Sequence, residues 1–123
     1  MPKKRMDPDL GFVEVRRRNI SEPIRDEGGQ EISSILSFWE WSMSDLVNNI
    51  ERGVFAEFLV ALALGQAKGL RSSWDPFDIR TKAGVAVEVK SCAYIQAWPQ
   101  ARHSAIRFGI GPKMRWIPET DEL

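Results

Sequence analysis

The sharpest alternation of apolar and polar positions falls within residues 74–90. Phe77 and Ile79 alternate with Asp78 and Arg80, and Val85, Val87 and Val89 alternate with Ala86, Glu88 and Lys90. A period of two with β-branched enrichment is the pattern of strands. The stretch therefore predicts a β-hairpin, with odd-numbered side chains on an apolar face and even-numbered ones on a polar face. Lys82-Ala83-Gly84 is short enough to be a three-residue loop, with Gly84 in the left-handed position such loops need. Thr81 then faces Val85. Counting outward sets Asp78 opposite Glu88, with Lys90 two residues further along the same face.

A different period governs residues 44–64. Ile50, Val54, Phe58, Ala61 and Leu62 form a helical stripe, Ser44 or Asp45 can cap its start, and Gly65 is placed to end it. Ala56, Ala61 and Ala63 permit close packing against a sheet. Residues 31–42 predict a shorter helix from Ile32, Ile35, Leu36 and the Phe38-Trp39-Glu40-Trp41 run, whose Trp pair is expected in a core or interface. Residues 66–73 look like a loop, with a short strand over 70–74 leading into the hairpin. Residues 91–98 predict a short helix broken at Pro99, and residues 104–110 alternate weakly as a further strand.

The first 30 residues carry Pro2, Pro8, Pro23, Gly28-Gly29 and the basic clusters Lys3-Lys4-Arg5 and Arg16-Arg17-Arg18. They read as a poorly ordered basic lead-in, apart from a short strand over 11–15. Residues 119–123 are an acidic tail. Between them, residues 31–118 form a single α/β domain: a long helix packed on a small mixed β-sheet.

Composition narrows the class. A chain of 123 residues is one domain, and five Trp and six Phe can build a modest core. The formal net charge is zero, so no global basic field advertises a nucleic-acid partner. A single Cys92 excludes an internal disulfide, and no Cys/His cluster suggests zinc. With no signal peptide and no apolar run of spanning length, the expected setting is cytoplasmic, without a membrane partner. Charge is nevertheless uneven. Residues 91–118 contain no Asp or Glu but carry Arg102, Arg107, Lys113, Arg115 and His103, interleaved with Tyr94, Trp98, Phe108 and Trp116. Local basicity with aromatics suits phosphate neutralisation and base stacking, and equally describes a solvated surface over ordinary core aromatics.

The hairpin carries the candidate chemistry. Opposed Cβ atoms in an antiparallel pair lie about 4.5–5.5 Å apart. Carboxylates that close repel each other unless one is protonated or a cation lies between them. Magnesium takes oxygen ligands, commonly one or two carboxylates with water and substrate phosphate. A lysine beside it can hold a phosphate oxygen or orient water. The opposing reading is that Asp78, Glu88 and Lys90 are ordinary solvated strand charges.

Asp78 followed by Glu88-Val89-Lys90 resembles the metal site of the PD-(D/E)xK nuclease superfamily, the restriction-endonuclease-like fold, over about residues 45–110. The resemblance implies Mg2+ held by Asp78, Glu88 and the Val89 carbonyl, with Lys90 activating water. It further implies that Glu57, on the long helix, completes the metal site, and that Gln96 positions substrate or a metal-bound water. Glu57 can also reach solvent or pair with Arg52 or Lys90. Where the family places proline directly before the first acid, this chain reads Pro76-Phe77-Asp78, which makes Asp75 a rival ligand. The strand period favours Asp78.

The function expected is magnesium-dependent hydrolysis of nucleic-acid phosphodiesters, DNA ahead of RNA, by Asp78, Glu88, Lys90 and Gln96, with Arg102, Arg107, Lys113 and Arg115 on the backbone. Residues 111–123 offer little further sheet or helix, so the core reads as a minimal or shortened one that a homodimer would cover. The alternatives are a non-catalytic nucleic-acid-binding or scaffold module of the same fold, and an exposed β-ribbon in an unrelated interaction protein.

Overall fold

The computed structural model describes residues 14–73 and 75–111. In chain order the elements are β1 (Pro23–Arg25), β2 (Glu31–Ser34), α1 (Ile35–Met43), α2 (Asn49–Ala63), β3 (Ile79–Arg80) and β4 (Ala86–Val87). The architecture is α/β. The strands form two separate two-stranded antiparallel sheets, β1–β2 and β3–β4, rather than the single mixed sheet expected.

The first hairpin straddles the expected boundary at residue 30. Asp26 makes its turn: Oδ1 accepts from the amides of Gly28 and Gln30, each at 2.9 Å. An aspartate side chain that closes its own backbone turn is a strong local signal. The strand over 11–15 lies partly outside the described residues, and residues 14 and 15 are not in a strand. Helix α1 follows β2 without a loop, because Ser34 caps it by accepting from Ser37 N at 3.2 Å.

Helix α2 starts later than the stripe suggests. Asp45 Oδ1 accepts from Val47 N at 3.1 Å and Asn48 N at 3.2 Å, which bends the chain into a turn before the helix. Asn48 then caps α2 by accepting from Ile50 N at 3.0 Å. The far end is where Gly65 places it. Gln66 N donates to Ala61 O at 2.8 Å and Gly65 N to Leu62 O at 3.1 Å, with Gly65 at φ 68°. That pair of bonds is the Schellman closure.

Packing is thin. Among the described residues only Ala61 on α2 and Ile79 on β3 are buried apolar side chains. The expected stripe is covered only in part: Ala61 is buried and Val54 half-buried, but Ile50 is 74 % exposed and Leu62 53 %. The Trp pair is outside the core as well, with Trp41 85 % exposed and Trp39 at 37 %. The physical reason is that α2 makes no more than marginal contact with any other element among the described residues, so the expected packing of the long helix on a sheet is not formed, and a two-residue ladder is too short to cover a fifteen-residue helix. Residues 70–73, 91–98 and 104–110 form no strand or helix. The segment 91–104 is instead closed by side chains. Gln100 Nε2 donates to Tyr94 O at 3.2 Å and to Ser104 Oγ at 2.9 Å, and Gln100 Oε1 accepts from Gln96 N at 2.8 Å. No helix among the described residues is long and apolar enough to cross a membrane.

Candidate metal and phosphate site

The second hairpin has the expected register. Ile79 pairs with Val87 and Arg80 with Ala86, and Thr81 N donates to Val85 O at 2.9 Å. The three-residue loop closes through Gly84 N to Thr81 O at 2.9 Å, with Gly84 at φ 85°. Arg80 fastens the turn. Its Nη1 donates to Gly84 O at 2.8 Å, and its guanidinium carbon lies 4.5 Å from the centre of the Phe77 ring.

Continued outward, this register sets Asp78 against Glu88, and at that point the ladder changes. Asp78 N donates to Val87 O at 3.0 Å, although Val87 is the partner of Ile79. Asp78 lies just outside β3, so the ladder does not continue to the expected Asp78–Glu88 pair. The Asp78 carboxylate then takes a backbone position: Oδ2 accepts from Val89 N at 2.6 Å. Asp78 is thus seated on the peptide between Glu88 and Lys90. Lys90 Nζ lies 3.3 Å from Glu88 Oε1, so acid and amine share one edge. Asp78 is thereby tied to the Val89 backbone, and Glu88 to Lys90 on either side of it. Asp78 and Val89 are half-buried, whereas Glu88 and Lys90 are exposed.

Glu57 takes a partner that the sequence did not indicate. Both its oxygens are held by Arg71 in a fork, Nε to Oε2 and Nη2 to Oε1, the latter at 3.0 Å. The Glu57 side chain is 13 % exposed and that of Arg71 44 %. Arg71 is fixed in the charged form, its pKa raised first by the hydrogen bond to Glu57, against the cost of burial, and then by the charges of Glu57 and Asp78. Arg52, one of the partners open to Glu57 in sequence, donates instead to Val47 O, Asn49 Oδ1 and Gln96 Oε1. Glu57, Arg71, Asp75 and Asp78 line a common cavity of about 490 Å³ between α2 and the segment leading into β3.

Gln96 lies apart from this cavity. Its amide donates to Ala93 O at 3.1 Å, and it lines a second hollow with Trp98, Arg102 and His103. Arg102 and Arg107 are exposed, and the Arg107 carbonyl accepts from the Cys92 thiol at 2.7 Å. Lys113 and Arg115 lie outside the described residues.

The candidate donors at the hairpin are oxygens alone, the Asp78 and Glu88 carboxylates just outside β3 and β4 and the Val89 carbonyl, which is the donor type that hard divalent cations take. Among the described residues no three His, Cys, Asp or Glu side chains gather as a metal-binding group. A cation there would draw its remaining ligands from water and substrate, the usual habit of magnesium. Comparison with protein-family models, with curated proteins and with solved structures returned no match.

Proposed function

We propose that this chain is a metal-dependent phosphodiester hydrolase acting on nucleic acid, DNA ahead of RNA. The observation that carries the reading is the Asp78 carboxylate on the Val89 amide, flanked by the Glu88–Lys90 pair. Asp78, Glu88 and the Val89 carbonyl would hold Mg2+. When bound, the cation supplies Lewis-acid polarisation of the phosphate and a more acidic water. The chain's own groups do the rest. The Val89 amide fixes the direction of the Asp78 carboxylate. Glu88 keeps the Lys90 ammonium beside the strand, where it orients water and steadies charge that grows on the phosphate. Glu57 acts through Arg71, holding a guanidinium next to Asp78. Exposed Tyr94 and Trp98, 61 % and 53 % accessible, stand near Arg102 in sequence and supply stacking and backbone contact. A second copy of the chain would cover the apolar residues left exposed on α1 and α2.

The test is cleavage of labelled DNA and RNA with and without magnesium. Glu88→Ala or Lys90→Ala is expected to abolish magnesium-dependent cleavage while the far-ultraviolet spectrum stays unchanged. Unchanged cleavage in both variants refutes the assignment. The second reading, a nucleic-acid-binding module without catalysis, is favoured by the exposed aromatics and the lack of a three-acid cluster among the described residues. It predicts DNA binding with no calorimetric signal for magnesium.

A further inference from the structure

The cavity beside Asp78 is built for more than a cation. At about 490 Å³ it falls within the range of small-molecule sites, about 300–1,000 Å³. Phe58, Ala61, Phe77 and Ile79 give it an apolar wall. Four cations, Arg17, Lys68, Arg71 and Arg80, line it against three acids, Glu57, Asp75 and Asp78. Two of the cations are already engaged, Arg80 by the Gly84 carbonyl and the Phe77 ring, and Arg71 by Glu57.

Glu57 holds one edge of Arg71. A guanidinium carries five N–H groups in a planar fork. Glu57 takes the Nε and Nη2 edge, and Nη1 reaches Ser73 Oγ at 3.3 Å. The Nη1–Nη2 edge lies opposite the edge that Glu57 holds, and a guanidinium edge of that kind suits a phosphate bidentately. The carboxylate lies inside and the guanidinium outside, as their exposures of 13 % and 44 % show. Glu57 therefore presents the arginine already oriented, and ordering it costs an incoming anion little.

We propose that this cavity binds one nucleoside monophosphate unit, with Arg71 as its phosphate ligand, Glu57 as the residue that positions Arg71, and Phe58 and Phe77 as the wall against the base. Its use rests on the phosphodiester-hydrolase reading: the unit is the nucleotide of the substrate strand next to the phosphate at Asp78. Binding itself does not depend on that reading.

The test uses the full chain without magnesium, titrated in turn with thymidine 5′-monophosphate, thymidine and inorganic phosphate by calorimetry. The monophosphate is expected to bind at least about tenfold more tightly than either fragment, since both base wall and phosphate ligand contribute. Arg71→Ala is expected to weaken it about tenfold, and Arg71→Lys to restore only part, because an ammonium lacks the fork. Glu57→Gln separates positioning from charge. Removing a negative charge would tighten binding of an anion, whereas loss of the orienting partner weakens it, and weakening is expected. Circular dichroism of each variant confirms that the chain is folded. Monophosphate binding that survives Arg71→Ala, or that inorganic phosphate equals, overturns the proposal, as does DNA cleavage by a chain that binds no monophosphate. Arg71-dependent binding by a chain that cuts no nucleic acid upholds the pocket and removes the hydrolase reading alone.

Discussion

Replacing Asp78 separates its structural work from its chemical work. Its Oδ2 accepts the Val89 amide at 2.6 Å in a half-buried position. A hydrogen bond to a charged group contributes about 1.5–3 kcal/mol, and solvent access places this one near the lower end. Asp78→Ala leaves the Val89 N–H without that acceptor and is expected to cost about 1.5 kcal/mol. Asp78→Asn keeps an acceptor oxygen without the charge, so a neutral bond of about 0.5–1.5 kcal/mol remains and the net cost falls to about 0.5–1 kcal/mol. Cleavage divides the two variants differently. A cation held without one of its two carboxylates loses several kcal/mol of transition-state stabilisation. At 1.36 kcal/mol per decade that is about 100-fold or more in rate, for Asn as for Ala. Urea unfolding followed by circular dichroism gives the first quantity, and a labelled-DNA cleavage assay with magnesium the second. An Asn variant that still cuts at the wild-type rate shows that Asp78 only shapes the backbone. An Ala variant as stable as wild type shows that the Val89 bond contributes nothing to the fold.

The remaining predictions concern the parts around that carboxylate. A double-mutant cycle over Glu57→Gln and Arg71→Ala is expected to give a coupling of about 1 kcal/mol, read by thermal melting and reduced at high salt, since Arg71 is partly exposed. Gly84→Val forces a β-branched residue to φ 85° and is expected to cost about 1–2 kcal/mol, with protection of the Thr81 amide from hydrogen exchange lost first. Asn48→Ala removes the cap of α2 and is expected to cost about 1 kcal/mol of helix stability, with Asn48→Asp close to neutral. Chelation of divalent ions is expected to stop cleavage and leave the far-ultraviolet spectrum unchanged, as each hairpin is closed by its own hydrogen bonds.

How much of this was legible in the chain follows from how local each cause is. The turn at Lys82-Ala83-Gly84 and the pairing of Ile79 with Val87 and Arg80 with Ala86 could be counted, because alternation and one glycine fix them within a dozen residues, whereas the ladder stops before Asp78 and Glu88. The C-terminus of α2 could be read from Gly65 for the same reason. Its N-terminus could not be chosen, since Ser44, Asp45 and Asn48 are all competent caps. Asp45 spends its carboxylate on a preceding turn, which passes the cap to Asn48. The first hairpin escaped notice because Glu31-Ile32-Ser33-Ser34 lacks a clear alternation. Asp26 ahead of Gly28-Gly29 was the available signal. The Glu57–Arg71 fork joins residues far apart on a helix and a loop, and no period points from one to the other. Over residues 91–110 the weak alternation competed with side-chain bonds from Gln100, and the side chains prevailed.

With Ala61 and Ile79 as the only buried apolar side chains among the described residues, melting uncovers little oily surface that was dry to begin with. The heat-capacity step on unfolding scales with that surface, so a scanning trace of the isolated chain should be broad and shallow, with a baseline that hardly rises. The β3–β4 hairpin can then open without waiting for the helices, and the temperature at which Asp78 lets go of the Val89 amide need not be the temperature at which α2 unwinds.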